Sequence, residues 1–169
     1  MSSRRTSDPI EWIRHHWPEV DLGDARKFLA MGSVLRLHQL IASAMDAVLK
    51  AYELSRNGYL MLATIVFSED GSKLLGRIAS EMMLHPTTVT TLADRLEERG
   101  LVERRPHPSD RRATYIAITP AGRSLLKQTT KALDAADFGV VGLTPARAQK
   151  LIDALAPLRM SAGDFQDDD

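Results

Sequence analysis

Met82-Met83-Leu84-His85-Pro86-Thr87-Thr88-Val89-Thr90-Thr91-Leu92-Ala93-Asp94-Arg95-Leu96-Glu97-Glu98-Arg99-Gly100 reads as a connector followed by a helix with a marked start and a marked stop. Pro86 stands where a first helical position needs no N–H, and Gly100 stands where a chain leaves a helix through a left-handed residue. The spacing therefore predicts a helix of about 13 residues. At about 100° per residue, Val89, Leu92, Ala93 and Leu96 share one arc and face a core. Thr87 and Thr91 lie on the opposite arc, with Thr88, Thr90 and Arg95 on its flanks. Just upstream, Leu74, Leu75, Ile78, Ala79 and Met82 mark a shorter helix, and Met83-Leu84-His85 joins the two. Two helices on so short a connector make a helix-turn-helix.

Downstream the grammar changes. Leu101-Val102-Glu103-Arg104-Arg105 and Thr114-Tyr115-Ile116-Ala117-Ile118 are short β-prone runs flanking a long basic loop, Pro106 to Ala113, and predict a hairpin. Upstream, Asp8-Pro9-Ile10-Glu11 opens a helix to about Trp17, with Pro18 as its stop. A long pattern then runs from Ala25 to Leu54, with Phe28, Met31, Leu35, Ile41, Met45, Val48, Leu49 and Tyr52 at three- and four-residue steps. Its apolar residues spread around more of the circumference than one small core covers, which predicts burial against a second subunit. A helix over about Gly58 to Ser68 ends in the turn Glu69-Asp70-Gly71-Ser72. Thr119-Pro120 caps a helix to about Phe138, and Thr144-Pro145 caps another to about Leu158. Leu143, Leu151, Leu155 and Leu158 add further apolar surface there.

The fold class expected is mainly α with a small β-hairpin wing, a winged helix-turn-helix dimerising through its N- and C-terminal helices. Four parts follow: an N-terminal extension and dimerisation helix at 1–54, the winged helix-turn-helix lobe at 55–119, C-terminal dimerisation helices at 120–160, and a disordered acidic tail at 161–169.

Charge supports a nucleic-acid partner only once its distribution is considered. The 22 Lys and Arg balance 22 Asp and Glu over the 169 residues. Yet Lys73 to Lys131 holds eleven basic against six acidic groups, a local +5 that the remaining residues cancel. A neutral chain can thus present a basic face to phosphate. Threonines on the first turn of a second helix suit major-groove entry, where hydroxyls meet base edges and methyls meet thymine. Asp94, Glu97 and Glu98 lie further along, where they trail out of the groove. In the hairpin, Arg104, Arg105, Ser109, Asp110, Arg111 and Arg112 form a basic loop suited to the adjacent minor groove. Asp110, two residues before Arg112, could hold that guanidinium in one orientation.

Other classes fall away. With no Cys there is no disulfide, thiolate metal site or thiol chemistry. The five histidines occupy separate elements or adjacent positions, so no metal site and no cofactor is expected. No nucleophile elbow or phosphate loop supports an enzyme, and no catalytic residue is assigned. The N-terminus lacks an apolar signal core, and Gly58–Phe67, read as the most apolar window, is about half a membrane span. A cytoplasmic protein without a membrane partner is expected. The competing class is a winged-helix protein-interaction module, whose sign would be a wing without basic residues and an apolar outer face on the second helix.

Thr88-Val89-Thr90, Asp94-Arg95-Leu96-Glu97-Glu98-Arg99-Gly100-Leu101-Val102-Glu103-Arg104, Asp110-Arg111-Arg112 and Ile118-Thr119-Pro120-Ala121-Gly122 together resemble the MarR family of bacterial transcriptional regulators over about Ala25 to Leu158. The resemblance implies an obligate homodimer on a palindromic operator in double-stranded DNA, usually a repressor released by a small, often phenolic, ligand. It also implies that Asp110 orients Arg112. Thr91 stands where many members carry Arg. The helix from Asp8 to Trp17 looks like the extension of urate-responsive members, and Trp17 matches their ligand-contacting Trp. Leu60 and Thr91 replace two of the polar contacts, which points to a more apolar aromatic effector. Its expected site lies near Trp17, His38 and Tyr59, between the dimerising helices and the lobe, with Trp17 as a plain packing residue and His38 as a core histidine among Leu35, Leu37 and Leu40 as the alternatives. A regulator that binds DNA without responding to any ligand is the alternative.

Overall fold

Asp8, Ser55, Thr119 and Thr144 each stand in front of a helix and accept a backbone N–H on a side-chain oxygen, and three of them are followed by Pro. These caps satisfy donors that the first helical turn leaves without partners, so the starts are set locally. In the computed structural model, which describes residues 8–107, 109 and 113–165, α1 spans Pro9–His16, α2 Arg26–Leu49 and α3 Arg56–Val66. Then come β1 at Ser72–Leu74, α4 at Leu75–Glu81, α5 at Pro86–Glu98, β2 at Val102–Pro106 and β3 at Thr114–Ile118. The described chain closes with α6 at Pro120–Ala135 and α7 at Pro145–Ser161.

Helix ends differ from the sequence expectation where the chain turns without an obvious signal. α1 yields to a 3-10 turn, Trp17–Val20, that carries Pro18 in its first turn instead of stopping before it. α2 likewise continues as a 3-10 turn over Lys50–Tyr52, and Glu53 then leaves it with φ 50°. α6 stops short of Phe138, because Asp137 and Phe138 take left-handed φ values of 49° and 47°. α7 continues beyond Leu158 with Pro157 inside it, and Arg159 pairs with Asp164 at 2.6 Å. The described chain thus continues to residue 165, while residues 166–169 lie outside it.

The sheet is three-stranded and antiparallel in the order β1-β3-β2, where a two-stranded hairpin was expected. Ser72 lies opposite Ala117 and Leu74 opposite Tyr115, while Val102 lies opposite Ile118 and Pro106 opposite Thr114. Leu74 is the last strand residue and also the cap of α4, with extended φ −61° and ψ 134°, so a helical reading of Leu74 misses β1. Asp70 builds the turn before it: its carboxylate accepts from Ser72 N–H at 3.0 Å and Ser72 Oγ at 2.7 Å.

The core gathers Leu49 of α2, Met61, Leu62 and Ile65 of α3, Ile78 of α4, Val89 and Leu96 of α5, Val102 and Ile116 of the sheet, and Leu133 of α6. One long-range junction is unusually close. Thr119 donates its N–H to Leu101 O at 3.1 Å and its hydroxyl to Gly100 O at 2.7 Å, laying the first turn of α6 on the end of α5. A Cβ on Gly122 would run into the Leu101 carbonyl oxygen and come within 2.9 Å of Ile118 Cγ1.

Beyond that core, α2 keeps Phe28, Met31, Val34, Leu35 and Leu40 exposed. The stretch Arg26–Tyr52, 27 residues, is long and apolar enough by length and composition to cross a membrane, and only 17% of its most apolar window is buried within the protomer. It is longer than Gly58–Phe67, which remains the more apolar stretch over a short window.

Two outcomes are expected. Gly122→Ala, which places a methyl against a backbone carbonyl, should lower unfolding free energy by about 1–3 kcal/mol in a urea titration. Hydrogen bonds from Ser72 hold the Asp70 carboxyl below its ordinary value. A depressed folded pKa gives stability that is complete above the unfolded value and lost as pH falls through the folded one. Asp70→Asn should therefore flatten the acid limb of the stability curve below about pH 4 and leave the relative change near neutrality constant.

Candidate nucleic-acid interface

α5 is anchored from one side. Val89, Leu92, Ala93 and Leu96 are buried, as their periodicity predicts, so Thr87, Thr88, Thr90, Thr91 and Arg95 are exposed together on the outer face. The preceding turn is tight: Met83 takes φ 51°, and Leu84 N–H donates to Ala79 O at 3.0 Å. His85 is the cap of α5, its Nδ1 accepting from Thr87 N–H at 3.3 Å. At the other end Leu101 N–H returns to Leu96 O at 2.9 Å through Gly100, whose φ is 68°. Arg99 reaches back to the end of α2, donating to Glu53 O at 2.5 Å and Tyr52 O at 3.1 Å.

The outer threonines are not equivalent. Thr90 Oγ1 donates to Pro86 O at 3.0 Å and Thr91 Oγ1 to Thr87 O at 3.1 Å, a bond four residues back along the helix. Each hydroxyl proton is thereby committed, leaving an acceptor oxygen and a methyl for an incoming surface. Thr87 and Thr88 hydroxyls make no such bond among the described residues. Arg95 forms no ion pair among them either, which leaves its charge available on this face.

A groove of about 430 Å³ runs along this face, lined by Thr87, Thr88, Thr91, Leu92 and Arg95 of α5 and by Ser55 and Asn57 at the start of α3. Ser55 and Asn57 carry no sequence signal for this role. They arrive beside α5 only because α3 and α5 pack on the same core, which no local pattern reports.

The wing arginines separate into different roles. Arg104 was expected on DNA, but its guanidinium pairs with Asp94 at 2.6 Å and with Glu97. Burial by itself would lower its pKa, yet the hydrogen bonds it donates to Glu97 and Asp94, with their negative charge, outweigh burial and hold it above the ordinary value. Its side chain is 29% exposed, and both carboxylates come from α5. Asp94 and Glu97 therefore do not simply trail out of a groove. Arg105 is open to solvent and pairs with Glu103 at 2.6 Å, a contact of small net strength at such exposure. Ser109 is exposed, its N–H reaching His107 Nδ1 at 3.3 Å, and the His107 ring stacks on Tyr115 at 5.3 Å between centroids. Asp110, Arg111 and Arg112 lie outside the described residues.

The three expected ligand residues do not converge within the protomer. Tyr59 is a core residue, 7% exposed, with its hydroxyl 3.1 Å from Thr130 Oγ1, so it ties α3 to α6. Trp17 donates its indole N–H to Gly23 O at 2.7 Å and packs its ring 4.9 Å from Phe28. His38 is exposed on α2, not buried among its leucines. None of the described cavities is lined by any of the three. Among the described residues no group of three or more His, Asp or Glu is placed to hold a metal ion.

The chain is similar to known proteins over most of its length. The MarR family model matches residues 54–114. The HTH-type transcriptional regulator PecS of Dickeya dadantii is 30% identical over 128 residues, which cover 74% of this chain and 74% of PecS. Among solved structures, Sco5413, a MarR family transcriptional regulator from Streptomyces coelicolor, superposes with a TM-score of 0.77 at 35% identity, covering 85% of this chain and 100% of that one. CouR from Rhodococcus jostii RHA1, bound to p-coumaroyl-CoA, gives 0.66 at 30% identity over 76% of this chain and 90% of its own.

On double-stranded DNA, Arg95→Ala is expected to weaken binding to all sequences alike and to reduce the slope of log affinity against log salt by about 0.9. Thr87→Ala is expected to alter sequence preference with little change in that slope. Anisotropy titrations at several salt concentrations separate the two.

Proposed function

The chain belongs to the MarR family of transcriptional regulators, and from that premise we propose a dimeric, non-enzymatic repressor that reads a palindromic operator and is released by a small aromatic ligand. The observation that carries the DNA reading is the outer face of α5, where four threonines and Arg95 stand exposed while every apolar residue of the helix faces inward or lines the groove floor. A protein-interaction module would show the reverse, with apolar residues outward.

The dimer reading rests on surface that one protomer leaves uncovered. No residue of α7 is buried, although Ile152, Leu158 and Met160 are large and apolar. α2 adds the exposed row from Phe28 to Leu40. Most of the stability of a helix in a protein comes from packing its apolar face, so α7, with Pro157 inside it, needs a partner surface. A second copy supplies it at both ends of the chain, and a two-fold dimer then matches the two halves of a palindrome. Residues 1–54 and 120–160 serve that interface, and 55–119 form the reading lobe.

Arg111 and Arg112 belong to the same reading, as wing contacts to the adjacent minor groove, with Asp110 orienting Arg112. For the effector, CouR holds p-coumaroyl-CoA, an aromatic ligand. An aromatic molecule fits the present chain at the dimer junction, where Trp17 and His38 would be completed by the partner subunit. Binding there can change operator affinity only through unequal preference for the DNA-competent and incompetent spacings of the two α5 helices.

Sedimentation at micromolar concentration is expected to give a dimer, and selection from random duplexes is expected to enrich a palindrome. Repeating the selection with a panel of phenolic and aromatic acids, while following Trp fluorescence, should identify a compound that quenches the signal and releases the DNA together. A folded monomer, or no enriched sequence, would defeat the proposal.

A further inference from the structure

Arg104, Asp94 and Glu97 sit where simple electrostatics argues against them. Two carboxylates on the helix that reads DNA repel phosphate, and the Arg that could attract it is occupied by both. The contacts show what the cluster does instead. Arg104 N–H donates to Glu97 Oε1 at 2.9 Å, its Nη1 donates to Glu97 Oε2, and its Nη2 donates to Asp94 Oδ1 at 2.6 Å. One residue of β2 is thus held, through backbone and both arms of its guanidinium, by two side chains about one turn apart on α5. Contacts at three points from a planar fork restrict rotation as well as separation. Part-exposed ion pairs add little to folding stability, so the consequence lies in geometry.

We propose that Arg104, Asp94 and Glu97 form a latch that sets the angle between α5 and the wing, which makes Arg104 a positioning residue for sequence readout and not a DNA contact. The inference rests on the reading of α5 and the wing as one DNA-binding surface. β2 pairs with β3, and these two strands carry the loop that holds the wing arginines. If α5 enters one groove and the wing the next, both must arrive in register, and a small rotation at β2 is amplified at the wing tip. Base contacts demand close placement, whereas nonspecific phosphate contacts tolerate such a rotation. The two carboxylates are therefore retained at some cost in raw attraction to DNA, in return for a fixed approach.

The opposing interpretation, a DNA-contacting Arg104 partly quenched by its neighbours, predicts the reverse outcome for the same variants. Glu97→Gln and Asp94→Asn are isosteric and remove one negative charge each. Their affinities for the duplex enriched by the wild-type protein and for a scrambled duplex are measured at several salt concentrations. With a latch, the ratio of specific to nonspecific affinity falls roughly tenfold, about the size of one mismatched base pair, and the salt slope stays constant. Arg104→Lys, which keeps the charge but loses the fork, shows the same fall. Tighter binding to both duplexes with a slope steeper by about 0.9 would identify Arg104 as a released phosphate contact and overturn the proposal. An unchanged ratio would overturn it too. Thermal melting checks folding, and Asp94→Asn, which severs a single arm, carries the test if Glu97→Gln does not fold. A wild-type protein that enriches no duplex would instead defeat the DNA-binding reading itself, before any variant is compared.

Discussion

Burial of Val89, Leu92, Ala93 and Leu96 beneath α5 is the contact on which the remaining architecture depends. Burying an aliphatic side chain of this size is worth about 1.5–3 kcal/mol, several times an exposed ion pair. The apolar stripe therefore decides which way the helix faces, and the threonines are exposed as a result. α3, α4 and β2 supply the opposing surface, so those elements are placed by the same requirement. The ion-pair cluster at Arg104 acts on a smaller scale. It cannot choose the face of the helix, but it ties β2 to α5 once that face is set.

A second constraint is the close approach of Gly122 to Leu101, secured by Thr119. It joins the end of the reading lobe to the first turn of α6 with no room for a side chain. The lobe and α6 are thereby joined without slack. Tyr59 contributes to the same coupling, since its hydroxyl meets Thr130 of α6 from within α3.

Legibility in the sequence followed the range of each interaction. The caps at Asp8, Thr119 and Thr144 are contacts over two or three residues and correspond to the helices observed. β1 was hidden because three residues cannot display an alternating pattern and because Leu74 is shared with a helix. The end of α6 was hidden because Asp137 and Phe138 enter left-handed conformations that their side chains do not announce. Trp17, His38 and Tyr59 could be named as aromatic or titratable residues at suitable places. Whether they meet depends on packing among α1, α2, α3 and α6, and in the protomer they do not.

The sequence by itself determined the helix-turn-helix, the outward set of threonines with Arg95, the β-prone arms of the wing and the family, because each is written as a period, a cap or a contiguous motif. Only the tertiary structure decided that Arg104 faces two carboxylates, that Ser55 and Asn57 line the groove beside α5, that Tyr59 belongs to the core and that α7 finds no cover within its own protomer. Arg104 and Asp94 are ten residues apart in the chain, and a basic residue in a wing looks the same whether its charge is free or already neutralised. Distances between elements arise from the closure of the core, and local physics carries no record of them.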